Sequence, residues 1–132
     1  MSTLEVRTGQ RVSFVDITAD VRREVRQSGV GDGLCVVFVP HTTAGVTINE
    51  DADPSVRADL EMALERLVPP GLPFRHLEGN SDAHVKAGLM GSSVSIPVVA
   101  GDLALGTWQG VYFAEFDGPR RRQVVVTVLA GR

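Results

Sequence analysis

The chain has 132 residues, a length typical of a single domain, and its formal net charge at pH 7 is −3. Hydrophobic residues make up 43% of it and charged residues 22%, which is ordinary for a globular domain with its own core. The sequence has no long run of basic residues of the kind that would predict a nucleic-acid surface. No apolar stretch approaches the roughly 20 residues needed to span a membrane. The single cysteine, Cys35, has no partner for an intrachain disulfide. We therefore expect one cytoplasmic domain, residues 1–132, that binds neither nucleic acid nor a membrane.

Hydrophobic periodicity predicts the secondary structure of the first third of the chain. Alternating apolar residues on both sides of Thr8–Gln10 predict a β-hairpin over residues 4–15. A short amphipathic helix follows, with Thr18 or Asp20 as its N-cap and with Gly29 or Gly31 at its end. Residues 33–39 are almost continuously apolar, which predicts a strand buried on both faces.

The rest of the chain alternates helix and strand signals. Asp53 followed by Pro54 is typical of an N-cap and a first helical residue, and this helix is expected to end before Pro69. A shorter helix is predicted over about residues 81–90. Strands are predicted over residues 46–49, 94–98, 106–116 and 123–129, with a turn at 117–119 between the last two.

The predicted element order is β-β-α-β-β-α-α-β-β-β. Short links between neighbouring strands favour antiparallel or mixed pairing, and the helices need a sheet face on which to bury their apolar sides. We therefore predict an α+β fold, a single domain in which two to three helices pack on one side of a mostly antiparallel or mixed sheet.

All three histidines, His41, His76 and His84, lie in polar segments next to turns. A neutral imidazole is a common metal ligand and a general base near neutral pH. Three of them would complete a Zn²⁺ site with an open fourth position. The spacing contains no HxxxH pattern, so three unrelated surface positions are the alternative interpretation.

His84 and His41 are the strongest individual candidates for chemistry. Near a helix start, His84 would be held neutral by the helix dipole, and Asp82 and Lys86, the only lysine, flank it. His41 follows a predicted strand, where loops often carry functional side chains. The alternatives are an exposed helix face for His84 and, for His41, a turn whose neighbouring hydroxyls bind their own backbone.

Two further groups of polar residues are candidates for substrate or cation binding. Asn49 and Glu50 end a predicted strand and lead into an acidic loop, which suits acid–base chemistry or a hard cation such as Mg²⁺. Trp108 stands between glycines, where it could stack on a flat ligand whose polar edge Gln109 would bind. A solvated capping loop and a core or interface aromatic are the respective alternatives.

The segments HTTAGVTINEDADP, SDAHVKAGLMGSS and LGTWQG, in this order, resemble the YjbQ family, also described as secondary thiamine-phosphate synthase-like. The resemblance covers about residues 33–130. It implies a compact α+β fold that assembles as a homotrimer, with pockets near the subunit boundaries. The stretch from His76 to His84 is shorter than in many relatives, which leaves the roles of His76, Glu78 and Asn80 open.

The activity attached to the family name joins a hydroxymethylpyrimidine diphosphate to a thiazole phosphate and releases pyrophosphate. Such a transferase needs groups that stabilise a diphosphate and a surface for a flat heterocycle. The catalytic candidates are His41, Asn49, Glu50, Asp82, His84 and Lys86. The candidates for substrate binding are Thr43, Ser92, Ser93, Trp108, Gln109 and Arg122.

Two other functions fit the same residues. One is a zinc-dependent hydrolase with His41, His76 and His84 around Zn²⁺ and Glu50 as the base. The other is a non-catalytic ligand-binding or assembly protein in which the motifs shape a subunit interface. The cofactor is therefore open, with Zn²⁺ and Mg²⁺ as the candidates, and the expected partners are further copies of the chain and a small phosphorylated or heterocyclic molecule.

Overall fold

A computed structural model of the protein describes residues 1–131. No helix in that range is long and apolar enough to cross a membrane. The elements are β1 (Ser2–Arg7), β2 (Ser13–Asp16), α1 (Thr18–Ser28), β3 (Gly33–Phe38), β4 (Ala44–Glu50), α2 (Pro54–Leu67), α3 (Ser81–Met90), β5 (Ser93–Val99), β6 (Asp102–Leu103), β7 (Gln109–Glu115) and β8 (Arg121–Ala130).

The strands form two antiparallel sheets. A five-stranded sheet has the order β1-β8-β3-β5-β6, and a three-stranded sheet has the order β2-β7-β4. The α+β class and the antiparallel pairing are as predicted, but one predicted sheet is in fact two. Strands that are neighbours in sequence, such as β1 and β2, lie in different sheets, so the predicted hairpin over residues 4–15 is wrong.

The two sheets and the helices α2 and α3 form three layers, with β7 in the middle. Val111 and Phe113 of β7 point into a core shared with β3, β8 and α1. Tyr112 and Ala114, on the other face of the same strand, join a second core with α2 and α3. A strand buried on both faces is therefore present, but it is β7.

The strand β3, predicted to be buried on both faces, is buried on one. Cys35 and Val37 face the core and are inaccessible, whereas Leu34 and Phe38 point to the outer side and are 37% and 44% exposed. An apolar sequence does not distinguish a strand covered on both sides by its own chain from one with an uncovered apolar face. The described chain leaves that outer face open.

The start of α2 and the end of α1 are as predicted, but the N-cap of α1 is Ile17 and not Thr18 or Asp20, because the helix already begins at Thr18. Asp53 accepts a hydrogen bond from the N–H of Ser55 at 2.9 Å and Pro54 begins α2, as predicted. Gly29 ends α1 with a left-handed φ of 72°. The predicted strand over residues 106–116 is shorter in the structure, because β7 begins at Gln109 and Trp108 lies in the preceding turn.

Helix α3 lies directly against β4, and Gly45 makes this contact possible. A Cβ atom at Gly45 would lie 2.5 Å from the carbonyl oxygen of Gly91, just after α3, and 3.2 Å from the Cβ of Met90. The N–H of Val46 donates to the same Gly91 oxygen at 3.1 Å. The C-terminal end of α3 is therefore joined to the strand that follows His41.

We expect the substitution Gly45→Ala to destabilise the protein by about 1–3 kcal/mol, because the added methyl group can be accommodated only if the backbone of α3 moves. Urea unfolding followed by circular dichroism measures the change. Gly88→Ala, within α3, is the matched control, since nothing lies within 4 Å of its added Cβ. This control should be neutral or stabilising, as alanine favours the helix by up to about 1 kcal/mol. Equal stability of Gly45→Ala and the wild type would contradict the close contact.

Candidate functional site

The loop between β3 and β4 brings His41 to a polar cleft that we call the His41 cleft. It has a volume of about 330 Å³ and lies between this loop, the start of α3 and the start of β8. Two further grooves also reach His41, one along α3 and one on the outer side of β1 and β8. The residues that line the His41 cleft are Pro40, His41, Thr42, Thr43, Glu78, Asn80, His84, Arg120 and Arg122.

His41 is held in one tautomer. Its Nε2 accepts a hydrogen bond from the backbone N–H of Gln123 at 2.9 Å, so the proton of the neutral ring is on Nδ1. Burial lowers the pKa of His41, and the positive charge of Arg122 lowers it further. Near neutral pH the ring is therefore uncharged, with Nδ1–H as its hydrogen-bond donor.

Arg122 is buried beside His41 and is paired with Glu115. Its Nε donates to the carboxylate at 2.9 Å, and its Nη2 donates to the hydroxyl of Thr43 at 2.8 Å. Arg122 is 5% exposed and Glu115 is fully buried. The ion pair joins β8 to β7, and the hydrogen bond from Arg122 to Thr43 joins β8 to the loop before β4. These bonds therefore hold together the three segments β8, β7 and the loop.

Glu115 has further donors besides Arg122. The hydroxyl of Thr8 donates to it at 2.7 Å, and the backbone N–H groups of Phe116 and Asp117 donate at 3.1 and 3.2 Å. Burial raises the pKa of Glu115, but the hydrogen bonds from Arg122 and Thr8 outweigh burial and hold the pKa below its usual range. The carboxylate is therefore charged at neutral pH.

Helix α3 presents His84 to the cleft from the opposite side. His84, Ala87 and Gly88 lie on one face of this helix and line the groove that runs from His41 along it. The ring of His76 meets the ring of His84 edge to face, with centroids 5.3 Å apart. Of the predicted site residues, the structure therefore brings His41, Thr43, His84 and Arg122 together.

Asp82 and Lys86 are on α3 but lie away from the cleft. Both side chains are 1% exposed. The ammonium group of Lys86 is 2.9 Å from Glu65 and 3.7 Å from Asp82, so it is held inside the protein. Lys86, a predicted catalytic residue, therefore lies on the other side of α3 from His84, because a helix turns residues two apart to nearly opposite sides.

A second set of predicted residues lies at the other end of the three-stranded sheet. Asn49 and Glu50 end β4, which begins near the His41 cleft and is seven residues long, so they lie roughly 20 Å from it. Gln109 pairs with Glu50, and its side chain accepts a hydrogen bond from the N–H of Gly106 at 2.8 Å. Trp108 is 63% exposed. Within one chain these residues do not share a pocket with His41.

The serines after α3 divide between two positions. Ser92 lines the groove along α3, and its carbonyl oxygen accepts a hydrogen bond from the N–H of Val39 at 2.8 Å. Ser93 begins β5, where it pairs with Phe38 on the open side of the sheet. Only Ser92 is therefore placed where a ligand of this groove would meet it.

The predicted metal ligands are not assembled in the described chain. Over residues 1–131 no three His, Cys, Asp or Glu side chains lie close enough together to hold a metal ion. His76 and His84 are neighbours, but neither they with His41 nor the acidic loop after β4 form such a group. The residues of one chain therefore do not fit the predicted Zn²⁺ or Mg²⁺ sites.

Sequence reasoning missed several residues of the site. Glu115 pairs with Arg122 and accepts a hydrogen bond from Thr8, and Arg120 and Thr42 line the cleft. Glu115 stands in an apolar strand, YFAEF, where an isolated charged residue signals a buried ion pair. The run Arg120–Arg122 on the next strand contains its partner, so this pairing had a signal in the sequence.

Comparison with known proteins places the chain in a family. The family model described as "UPF0047 protein YjbQ-like" matches residues 2–131, and the chain belongs to this family. UPF0047 protein MJ1081 of Methanocaldococcus jannaschii is 50% identical over 128 residues, which are 97% of this chain and 93% of that protein. UPF0047 protein YugU of Bacillus subtilis is 42% identical over 98% of both chains.

Solved structures of relatives have the same fold. A YjbQ/UPF0047 family protein of Clostridium acetobutylicum has a TM-score of 0.96 and 51% identity, covering 98% of this chain and 100% of its own. A protein of Sulfolobus solfataricus has a TM-score of 0.95 and 32% identity, covering 98% and 96%, and is described as a protein of unknown function. These comparisons establish the family and the fold.

We expect Glu115→Gln to lower the free energy of unfolding by about 3–5 kcal/mol, because it leaves Arg122 buried without its counter-charge. Chemical denaturation at pH 7 measures this loss. Asp20→Asn removes an exposed partner of Arg23 and is the control, and we expect it to leave the unfolding midpoint almost unchanged. A Glu115→Gln protein as stable as the control would show that the pair does not hold the cleft.

We also expect the stability difference between the wild type and Glu115→Gln to depend on pH. The folded-state pKa of Glu115 lies below its ordinary value of 4.5, so the ion pair stabilises the protein above about that pH. The stabilisation is lost as the pH falls through the folded-state pKa. The difference in unfolding free energy between wild type and Glu115→Gln should therefore be constant near neutral pH and shrink in acid. A difference that grows in acid would contradict the assignment.

Proposed function

We propose that the protein binds the phosphate or diphosphate group of a small substrate in the His41 cleft and transfers the group attached to it. The observation that carries this proposal is the position of Arg122 beside the neutral His41 in one polar cleft. The reaction we propose is of the thiamine-phosphate synthase type, which the family resemblance suggests. The protein would accordingly be a transferase.

The donors of the cleft support binding of an anion. Arg122 uses Nε and Nη2 for Glu115 and Thr43, and Nη1 takes no part in those bonds. His41 offers Nδ1–H, and the exposed guanidinium of Arg121 adds positive charge in the adjoining groove. We therefore propose Nη1 of Arg122 and Nδ1–H of His41 as the donors to the phosphate oxygens.

The proposed chemistry requires a leaving diphosphate. The ring nitrogen of the thiazole attacks the methylene carbon of the pyrimidine, a C–N bond forms, and the C–O bond to the diphosphate breaks. The electron pair of that bond leaves on the pyrophosphate. Donors fixed around the departing oxygens stabilise the charge that develops there, which is the role we propose for His41 and Arg122.

The groove along α3 offers a place for the heterocycle. It is lined next to His84 by the small residues Ala44, Ala87 and Gly88, so a flat ring can approach the backbone. The imidazole of His84 provides an aromatic face and ring nitrogens for hydrogen bonds at the point where this groove meets the His41 cleft. We propose His84 as the residue that positions the attacking ring.

We predict that pyrophosphate binds to the wild-type protein and that His41→Ala weakens binding by about tenfold or more, since a hydrogen bond to a charged group contributes about 1.5–3 kcal/mol. Isothermal titration calorimetry measures both affinities. Gln27→Ala on α1 is the control, because the exposed Gln27 lines neither the His41 cleft nor the two grooves that adjoin it. Equal affinities of wild type and His41→Ala would contradict the proposed site. Turnover of any phosphorylated substrate that appears only with added Zn²⁺ would instead support the hydrolase alternative.

We further propose that the protein is a homotrimer whose subunits meet on the outer face of the five-stranded sheet. Four apolar side chains project from this face and are 37–57% exposed, namely Leu34, Phe38, Val99 and Leu129. Leu34 pairs with Leu129 across β3 and β8, so these two apolar side chains are neighbours on the face. Apolar residues exposed together on one face are typical of a protein interface.

The same face leads directly to His41. The groove on the outer side of β1 and β8 is lined by Thr3, Glu5, Gln123 and the His41 ring. A second subunit on the apolar face would therefore wall this groove. This arrangement is also one way in which Trp108 of one copy would reach the His41 cleft of another.

A cytoplasmic location remains a prediction from the sequence.

We expect light scattering to give three times the chain mass of 14.1 kDa. Phe38→Glu should reduce the mass, because it places a charge in the apolar face.

If Trp108 acts on a neighbouring subunit, inactive His84→Ala and Trp108→Ala proteins should regain activity when they are unfolded together and refolded as mixed trimers. A monomer at micromolar concentration would contradict the assembly, and mixtures without regained activity would contradict a site shared between subunits.

A further inference from the structure

We propose that four charged side chains on the far side of α3 are positioning residues for His84. They are Arg11, Glu65, Asp82 and Lys86. None of them lines the His41 cleft. The inference rests on the proposed function only in that His84 takes part in it, and the anchoring of α3 itself is independent of any substrate.

The four side chains connect three segments of the chain. On α3, Asp82 and Lys86 are one turn apart, with the ammonium group 3.7 Å from the carboxylate. Arg11, in the link between β1 and β2, donates to Asp82 at 3.0 Å. Lys86 donates to Glu65 of α2 at 2.9 Å. Opposite charges therefore alternate from the β1–β2 link through α3 to α2.

The two buried charges depend on each other. One carboxylate oxygen of Asp82, Oδ2, is buried and has no hydrogen-bond partner in the described chain. Burial raises the pKa of Asp82, but the hydrogen bond from Arg11 and the charges of Arg11 and Lys86 lower it below its usual range. The carboxylate thus stays charged inside the protein because these two cations surround it.

Apolar packing alone attaches α2 weakly to the rest of the fold. No residue of this helix is fully buried, and its inner side chains Leu60 and Leu64 are only partly covered by the second core. The bond from Lys86 to Glu65 is therefore a main connection between α2 and α3. It acts at the turn of α3 that also carries His84.

His84 lies between the two anchoring residues in sequence. The C-terminal end of α3 is fixed separately, through the bond from Val46 to Gly91 and the close approach at Gly45. With the charged anchor removed, we expect the N-terminal half of α3 to shift about that fixed end. His84 would then move relative to His76 and to the cleft, although neither anchoring residue touches a ligand.

Nuclear magnetic resonance of the histidine rings tests this inference. The chain has three histidines, so each C2–H signal can be assigned by single His→Gln substitutions. We expect Lys86→Met to shift the His84 signal and to weaken the cross-relaxation between the His76 and His84 rings, which are 5.3 Å apart at their centroids. The His41 signal should change little. Pyrophosphate affinity should also change little, because His41 and Arg122 bind the anion in the proposed site.

Arg22→Met is the matched control, because it removes an ion pair of similar geometry, 2.6 Å to Asp102, at a site remote from α3. It should leave the His84 signal and pyrophosphate affinity unchanged. If Lys86→Met does not fold, Glu65→Gln replaces it, since Glu65 is half exposed and Lys86 keeps Asp82. A folded Lys86→Met or Glu65→Gln protein with unchanged His84 signal and ring contact would overturn the inference.

The two proposals can fail separately. If wild-type protein does not bind pyrophosphate, the proposed function fails, while the histidine signals still decide whether the charged residues position His84. If pyrophosphate binds and His41→Ala weakens it, but Lys86→Met leaves the His84 signal and the contact between the His76 and His84 rings unchanged, only the positioning role is overturned.

Discussion

The buried pairing of Arg122 with Glu115 is the interaction on which the candidate site depends. It connects β8 of one sheet to β7 of the other, and through Thr43 it holds the loop that carries His41. Two charges in a protein interior are tolerated only when each is well compensated, and here Thr8 and two backbone N–H groups complete the set around Glu115. Stability of the fold and geometry of the cleft are therefore coupled at this pair.

The layered fold explains why polar groups gather at this end of the molecule. The strand β7 is covered on both sides, so the sheets and helices are packed around it, and loops leave the layers where strands end. His41 follows β3, Arg122 begins β8 and His84 enters from α3, which lies against β4. Helix α3 has polar residues on two sides: His84 faces the cleft, whereas Asp82 and Lys86 on the other side form ion pairs with Arg11 and Glu65.

Features that depend on neighbouring residues could be predicted from the sequence, and features that depend on distant pairing could not. The cap at Asp53 and the helix end at Gly29 are local, and both predictions were correct. The turn signal at Thr8–Gln10 was real, but it joins strands of two different sheets. Lys86 was recognised as unusual, yet only the fold showed that it is buried. Trp108 lies in the exposed turn that precedes β7, outside the strand predicted for it.

A crystal structure of the protein with pyrophosphate tests the central claim most directly. The account predicts the anion in the cleft between His41 and Arg122, with a phosphate oxygen within hydrogen-bond distance of His41 Nδ1 while Nε2 keeps its bond to the Gln123 N–H. The ion pair between Arg122 and Glu115 should be intact in that complex. Pyrophosphate bound elsewhere on the molecule, or a His41 ring turned so that Nε2 meets the anion, would contradict the account.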